Sequence, residues 1–310
     1  MLKDYNLIVI TGATAGSKTS VAAHLAYDLK TEIISADSRQ VYKTMNIGTG
    51  KDLEDYEVNG VKIPYHLIDI CEPGYKYNVY EYKRDFFKVY SSLRERGIVP
   101  ILCGGTGLYI NAVINNYELV KVPVNEKLRA ELKSKSIQEL EVILRKYKDL
   151  HNNSDLDTTK RAIRAIEIAE YYSRNSFVGD NYPEIKPIIF GIYFEREQRR
   201  ARITERLKFR LENGMIEEAQ AMLEAGISHQ DLEYYGLEYK FLSWYLKGDI
   251  TYDELFTQLN TAIHQFSKRQ MTWFRKMEKE GSEIIWIDGN LDMESKLKLI
   301  KSYLRNLKMY

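Results

Sequence analysis

LIVITGATAGSKTS, residues 7–20, is the stretch of sequence that decides the fold. A β-branched apolar run ends in a glycine loop, and an apolar helix face follows through Val21 and Leu25. This order of strand, loop and helix predicts a P-loop, whose backbone N–H groups and helix N-terminus bind phosphate. Lys18 adds a positive charge, and the Thr19 hydroxyl is suited to ligate Mg²⁺ or bond a phosphate oxygen. A glycine turn beside a surface lysine, the alternative, is less consistent with a Lys-Thr pair in this context.

The predicted P-loop departs from its usual pattern at one position, because Ser17 stands where a second glycine is expected. Serine keeps the loop only if this residue needs neither a positive φ nor very close approach to a phosphate. The residues expected to bind a diphosphate or nucleotide phosphates are Gly12, Ala13, Thr14, Ala15, Gly16, Ser17, Lys18 and Thr19.

The composition is that of an ordinary globular protein. The 310 residues carry a net charge of +1, so a surface that binds nucleic acid must be a local one. Apolar residues make up 44% of the chain, and no run approaches the roughly 20 apolar residues that span a bilayer. Cys71 and Cys103 are typical of reduced thiols rather than a disulfide framework or a zinc site. Since no signal-peptide pattern begins the chain, we expect a cytoplasmic protein.

The first part of the chain alternates short apolar runs with helical patterns, which predicts a parallel α/β sheet. Strands are predicted at 7–11, 32–36, 66–70, 98–103, 188–193 and 283–287, and the first helices at 18–29 and 79–96. Between Asn125 and Ser173 the pattern is helical and charged. The predicted organisation is a P-loop α/β core with C-terminal helices at 1–116 and 186–310, and a helical insertion at 117–185.

A second candidate element, ADSRQVY at 36–42, follows the strand predicted at 32–36. Ligands of doubly wound sheets bind at the carboxyl ends of strands, so Asp37 is expected to face the same crevice as the P-loop. A carboxylate there can take a proton from a nucleophile or hold the water of a metal ion. The structural alternative is an N-cap aspartate. The nearby Gln40 and the glycine cluster IGTGK at 47–51 favour function.

A third element, ILCGGTGLY at 101–109, is again a strand that runs into a glycine loop and a helix. Glycines let the backbone approach a ligand, and Thr106 offers a hydroxyl at that point. A tight turn needs only one glycine, so the three glycines favour a ligand-binding loop.

Three basic stretches lie on predicted helices. In the first, Lys160, Arg161 and Arg164 recur at helical spacing. The second, 196–210, mixes arginines with glutamates, which is typical of a solvated helix face. The third, KRQMTWFRK at 268–276, interleaves basic residues with two aromatic ones. That mixture suits RNA, because cations meet phosphates and aromatic rings stack on bases.

Taken together, these elements resemble the tRNA dimethylallyltransferase family, also called tRNA isopentenyltransferases. The resemblance runs from Leu7 to Trp273. Its markers in chain order are GATAGSKT, ADSRQVY, IGTGK, HLID at 66–69, GGTGLY and KRQMTWFR. The P-loop alone is unspecific, whereas the ordered set is specific to this family.

The resemblance implies transfer of a dimethylallyl group from dimethylallyl diphosphate to the exocyclic N6 of an adenosine beside the tRNA anticodon. Asp37 is the candidate base, while Lys18, Thr19 and Mg²⁺ stabilise the leaving diphosphate. Thr106 holds either a diphosphate oxygen or the incoming nucleotide, and is the third catalytic candidate. We expect a monomer without membrane contact. By resemblance the tRNA contacts Asp37, Ser38, Arg39, Gln40, Thr106, Arg129, Lys160, Arg161, Arg164, Lys268, Arg269, Gln270, Trp273 and Arg275.

Departures from the family pattern bear on ligand contacts. Ile263 and His264 stand where the family often has Thr-Arg ahead of its KRQ run. An arginine that the family often has before a Gly-Tyr-Lys segment is missing, so its diphosphate contact is either lost or taken over by Lys240. These changes keep three alternatives open: a divergent donor or acceptor, a P-loop small-molecule kinase, and an RNA-binding relic without chemistry.

Overall fold

The computed structural model describes residues 5–149, 154–175 and 181–304. The chain divides into two compact units. The core unit comprises Met1–Tyr117 and Pro183–Tyr310, and the insertion unit comprises Glu118–Tyr182. Every described strand belongs to the core unit.

A parallel sheet forms the centre of the core unit. The described strands are β1 (Leu7–Gly12), β2 (Ile33–Ser35), β3 (Glu57–Val58), β4 (Val61–Lys62), β5 (Tyr65–His66), β6 (Ile101–Gly104), β7 (Pro187–Tyr193) and β8 (Ile284–Asp288). Six of them pair in parallel in the order β5-β2-β6-β1-β7-β8, while β3 and β4 form a separate antiparallel hairpin. All residues of the central β1 are buried, as its continuous apolar run requires in a sheet covered on both faces. The predicted parallel α/β fold class is confirmed.

Helices cover the sheet and form most of the remaining described structure. They are α1 (Lys18–Leu29), α2 (Val79–Glu95), α3 (Gly107–Ile114), α4 (Glu126–Leu132), α5 (Ile137–Leu144), α6 (Thr159–Arg174), α7 (Arg196–Glu212), α8 (Met215–Glu224), α9 (His229–Leu232), α10 (Leu237–Lys247), α11 (Tyr252–Lys279) and α12 (Met293–Leu304). Asn78 and Thr251 each form a capping box with the glutamate three residues later, which fixes where α2 and α11 begin.

One predicted strand is much shorter than expected. The run predicted at 66–70 contributes only Tyr65–His66 to the sheet. Leu67 and Asp69 adopt left-handed backbone conformations, with φ of 61° and 54°, and such residues cannot continue a strand. The hairpin of β3 and β4 was not predicted, since two residues per strand leave no periodic signal.

The insertion unit is a small helical body with its own core. Leu132 of α4, Leu140 and Leu144 of α5, and Ala162 and Ile166 of α6 are buried together. Since these positions recur at helical spacing, each helix turns one apolar face inward.

The carboxyl ends of β1, β2 and β6 lie side by side, because these three strands are neighbours in the parallel sheet. The three glycine-containing or acidic elements singled out in the sequence follow those strands directly. No helix within the described ranges is long and apolar enough to cross a bilayer.

Candidate active site

The loop between β1 and α1 forms a small polar cavity. The cavity has a volume of about 90 Å³ and is lined by loop residues 14–19 together with Asp37 and Gln40. Lys18 begins α1 and donates a hydrogen bond from Nζ to the carbonyl of Ala13, at 2.8 Å. Burial lowers the pKa of Lys18 to about 8, partly offset by Cys103 and reinforced by the nearby charge of Arg206. A half-buried ammonium in a small polar cavity is a site for an anion.

The conformation of Ser17 differs from the condition set by the sequence. Serine was expected to preserve the loop only without a positive φ, yet Ser17 has a φ of 53°. Arg202 of α7 supports this conformation of the loop through two hydrogen bonds. The guanidinium contacts the carbonyl of Ala15 at 3.0 Å and the hydroxyl of Ser17 at 2.9 Å.

Two further arginines of α7 enter the cavities, and the sequence analysis missed them. Arg206 donates to the hydroxyl of Thr14 at 2.5 Å, and Arg210 donates to both carboxylate oxygens of Asp52 at 3.0 and 3.1 Å. Burial, and then the charge of Arg210, lower the pKa of Arg206 to about 10. The interpretation of 196–210 as a solvated face is therefore wrong for these residues. The signal was their i, i+4, i+8 spacing with Arg202, which puts all three on one face of the helix.

A larger cavity of about 360 Å³ adjoins the small one, since Thr14, Lys18, Asp37, Thr49 and Arg206 line both. Its walls come from the ends of β2 and β6 and from α7, α10 and α11. The predicted site residues that line it are Thr14, Lys18, Asp37, Ser38, Arg39, Thr106, Arg269 and Gln270, and Lys240 and Ile263 of the departing positions line it as well.

Asp37 is held by its own turn, and Thr106 is held by a hydrogen bond to the same turn. One carboxylate oxygen of Asp37 accepts the N–H of Arg39 at 2.8 Å, and Thr106 Oγ1 accepts the N–H of Ser38 at 3.1 Å. The structural alternative, in which Asp37 only accepts a backbone N–H, therefore explains the role of one of its two carboxylate oxygens. The other has no hydrogen-bond partner in the described part of the chain, so it is free to accept a proton within the cavity.

The glycines after β6 serve close packing. A Cβ on Gly104 would collide with the backbone of Ala36 at the end of β2, and one on Gly107 would collide with the ring of Trp273. Glycine at these positions lets β2, β6 and α11 converge, which brings Thr106 beside Asp37. Trp273 thus packs beneath the loop, and its Nε1 is buried without a partner within the described ranges.

Gln270 connects two of the loops. Its carbonyl oxygen accepts the N–H of Thr14 at 2.8 Å, and its amide donates to the carbonyl of Gly105 at 3.0 Å. Gln270 is only 8% exposed, so its amide holds the P-loop against the β6 loop.

The IGTGK loop is held by Glu218 of α8, a residue about 170 positions away in the sequence. Glu218 accepts the N–H groups of Asn46, Ile47 and Gly48 at 2.7, 2.8 and 2.9 Å, and the hydroxyl of Tyr239 at 2.6 Å. Gln40 donates to the carbonyl of Gly50 at 3.0 Å, so both ends of the loop are fixed.

Several predicted site residues are not among those that line these cavities. Arg129, Lys160, Arg161 and Arg164 belong to the insertion unit. There Arg129 and Arg164 both contact the carboxylate of Glu167, whose side chain is 1% exposed. Within the core unit, Lys268 and Arg275 line a separate groove between α7 and α11.

The small cavity meets the chemical requirements of a Mg²⁺ ion bound to a diphosphate. The hydroxyl of Thr19 makes no hydrogen bond to any described residue, and Asp37 and Asp55 line the same cavity. Mg²⁺ binds through one or two protein oxygens together with substrate phosphates. No cluster of three acidic, histidine or cysteine side chains that could bind a metal by itself occurs in the described ranges.

Comparisons with known proteins agree over nearly the whole chain. The model of a family described as IPP transferase matches residues 40–277. The chain is 56% identical to tRNA dimethylallyltransferase 2 of Bacteroides fragilis, over 98% of this chain and 99% of that protein. It is also 56% identical to tRNA dimethylallyltransferase 1 of Parabacteroides distasonis, over the same shares.

Solved structures give the same fold. The tRNA isopentenylpyrophosphate transferase of Bacillus halodurans superposes with a TM-score of 0.71 at 31% identity, over 97% of this chain and 96% of that one. A eukaryotic dimethylallyltransferase acting on tRNA superposes with a TM-score of 0.78, over 98% of this chain and 80% of that one. At 19% identity, the second likeness concerns the fold alone.

Proposed function

The chain belongs to the IPP transferase family, and from that premise we propose that it transfers a dimethylallyl group from dimethylallyl diphosphate to the N6 of an adenosine beside the tRNA anticodon. The observation that carries the proposal is the convergence of Lys18, Arg206, Asp37 and Thr106 on two adjoining cavities. One cavity has the cations and N–H groups that a diphosphate needs. The other has the carboxylate of Asp37 and room for an adenine ring.

The diphosphate occupies the small cavity in this proposal. The backbone N–H groups of the loop, Lys18 and Arg206 surround it, and the leaving group gains negative charge as its carbon–oxygen bond breaks. Fixed donors aimed at developing charge lower the barrier because they need no reorganisation. The contact expected of the missing family arginine falls to Arg206, since Lys240 instead lies over the ring of Trp244, at 4.6 Å.

The adenine enters the larger cavity and attacks the allylic carbon. A bond forms between N6 and carbon, the carbon–oxygen bond breaks, and N6 loses one proton to the unpartnered oxygen of Asp37. Thr106 orients either the diphosphate or the nucleotide at this point. Since a base must leave its stack to reach such a cavity, an unpaired loop is the easiest substrate.

Mg²⁺ is the proposed cofactor. Thr19 and the carboxylate of Asp55 are the groups that would hold it beside the diphosphate, which leaves Asp37 free to act as the base. When bound, Mg²⁺ would neutralise negative charge on the diphosphate. Of the four insertion-unit residues predicted to contact tRNA, Lys160 and Arg161 are exposed, which suits that contact. We also propose that the protein acts as a monomer in the cytoplasm.

Nucleoside mass spectrometry tests the proposed function. Purified protein is incubated with unmodified tRNA, Mg²⁺ and dimethylallyl diphosphate, and the tRNA is then digested. The expected result is a prenylated adenosine that depends on all three additions. Absence of that nucleoside from reactions with folded, tRNA-binding protein would overturn the proposal. Melting in the presence of dimethylallyl diphosphate or ATP separates the alternatives, since a kinase would be stabilised by ATP.

A further inference from the structure

The groove between α7 and α11 is a second strongly charged site on the core unit. It has a volume of about 450 Å³ and shares no lining residue with the two reaction cavities. Its cationic lining residues are Arg196, Arg199, Arg200, Lys268 and Arg275. No acidic side chain of the described residues lines it, and Ile203 and Met271 form part of its buried apolar wall.

The charge of this groove is largely uncompensated. Arg200, Lys268 and Arg275 form no ion pair with any residue in the described ranges, and Arg196 approaches only the exposed Glu197, at 3.8 Å. Burial lowers the pKa of Arg199, and the like charges of Arg275 and Arg196 lower it further. Tyr193 and Glu195 offset part of this shift. Like charges that face one another with no acid among the described residues of the groove lining are typical of an anion site.

Ser267 gives independent evidence for a ligand. It lines the groove and is 1% exposed, and its hydroxyl is buried without a hydrogen-bond partner in the described part of the chain. A buried hydroxyl without a partner carries a desolvation penalty. A ligand oxygen in the groove would satisfy it.

One departure from the family pattern also concerns this groove. His264 stands where the family often has arginine, and its Nε2 lies 3.2 Å from the carbonyl of Arg200. Burial lowers the pKa of His264, which disfavours the charged form of this ring. The positive charge here comes from Arg200 instead.

We propose that the α7–α11 groove binds the phosphodiester backbone of the tRNA outside the reaction cavities. Lys268 and Arg275 are two helical turns apart, about 10 Å, which suits several successive phosphates better than one small anion. Lys268 lines the groove and its neighbour Arg269 lines the larger cavity, so α11 connects the two sites. The inference rests on the proposed function, since tRNA is the substrate there, and it adds Arg199, Arg200 and Ser267 to the RNA-binding surface.

The test compares Arg200→Gln and Ser267→Ala with Arg84→Gln, a matched charge change on the exposed face of α2. Binding of unmodified tRNA to the full-length variants is measured by fluorescence anisotropy from low to high salt. Arg200→Gln is expected to weaken binding about threefold to tenfold at low salt and to lower the salt slope by about 1. The control is expected to bind like the wild type.

Ser267→Ala separates ligand contact from structural support. It is expected to weaken tRNA binding about threefold while the melting temperature stays the same or rises, because the buried orphan hydroxyl is removed. A fall in melting temperature with unchanged tRNA binding would overturn this assignment. In steady-state transfer, the KM for tRNA should rise in both variants while the KM for dimethylallyl diphosphate stays unchanged.

Two other outcomes would overturn the proposal. If Arg200→Gln binds tRNA with the wild-type affinity and salt slope but loses stabilisation by inorganic phosphate, the groove is a site for a small free anion. If neither tRNA binding nor stabilisation by inorganic phosphate changes, the groove is only a solvated basic surface. If the wild type makes no prenylated adenosine but Arg200→Gln still weakens tRNA binding, the proposed function fails and the groove assignment stands.

Discussion

Arg206 donates a hydrogen bond of 2.5 Å to the hydroxyl of Thr14, and so joins helix α7 to the loop between β1 and α1 across 192 residues of sequence. Lys18 lies in the same cavity. Two cations are therefore brought together before any anion binds, and burial, reinforced by their mutual repulsion, lowers the pKa of Lys18. A diphosphate would relieve this repulsion as it binds.

Replacement of Arg206 tests this arrangement. Arg206→Gln is expected to lower kcat/KM for dimethylallyl diphosphate by about 10²-fold, the usual loss when a donor to developing charge is removed. Arg206→Lys should retain part of the activity, since it keeps the charge. Steady-state transfer to tRNA is the measurement, with Arg84→Gln as the matched control. A loss below threefold in Arg206→Gln would exclude a role in the reaction.

Asp37→Asn is expected to abolish transfer without loss of tRNA binding. Asparagine keeps an oxygen for the N–H of Arg39, so the turn survives, but it cannot accept the N6 proton. Single-turnover transfer and tRNA anisotropy are measured on the same preparation. Weak tRNA binding combined with normal chemistry on bound substrate would instead make Asp37 a binding residue.

The lowered pKa of Lys18 predicts a pH dependence of diphosphate binding. In the free protein Lys18 loses its proton as the pH rises through about 8, and a bound diphosphate raises its pKa again. Binding of inorganic pyrophosphate should therefore weaken as the pH rises from 8 to 10. Titration calorimetry in two buffers of different ionisation enthalpy should detect proton uptake in this window. Lys18→Arg should remove the uptake, because arginine stays charged.

The linkage to stability has the opposite sign. A lysine whose folded-state pKa lies below its unfolded value of 10.5 opposes folding at neutral pH, and that cost disappears as the pH rises through the interval from 8 to 10.5. Lys18→Met should therefore raise the melting temperature at pH 7 by more than at pH 10.5. An equal effect at both pH values would contradict the lowered pKa.

Glu218 should matter for stability although it lies outside both cavities. Glu218→Ala leaves the N–H groups of Asn46, Ile47 and Gly48 without their acceptor, at an expected cost of about 2–3 kcal/mol in the free energy of unfolding. Urea denaturation measures the cost, and hydrogen exchange at these three amides should accelerate. Glu224→Ala, an exposed change on the same helix, should cost less than about 0.5 kcal/mol.

The parts of the site that were predicted from the sequence are those with local signals. A strand, a glycine loop and a helix are consecutive in the chain, so Lys18 and its loop were identified from 14 residues. Asp37 and Thr106 could be assigned to the same crevice because parallel strands end at one edge of the sheet. The hydrogen bond between Arg39 and Asp37 is local, whereas the one between Ser38 and Thr106 spans 68 residues and left no signal in the sequence.

Long-range partners could not be predicted in this way. Gln270 contacts Thr14 across 256 residues, and Glu218 holds a loop 170 residues away. A single sequence gives no sign of which residues so far apart will be in contact. Arg206 was missed for a different reason. Glutamates alternate with arginines along α7, and only the helical spacing separates the arginine face from the acidic one.

At Ser17, backbone strain and a side-chain hydrogen bond have opposite effects on stability. Its left-handed backbone costs about 1 kcal/mol relative to glycine, while its hydroxyl gains a hydrogen bond from Arg202 worth about the same. Ser17→Gly alone should therefore change the free energy of unfolding by less than about 0.5 kcal/mol. In an Arg202→Ala background the bond is already absent, so Ser17→Gly should stabilise by about 1 kcal/mol. A double-mutant cycle by urea denaturation measures the difference, and equal effects in both backgrounds would refute the compensation.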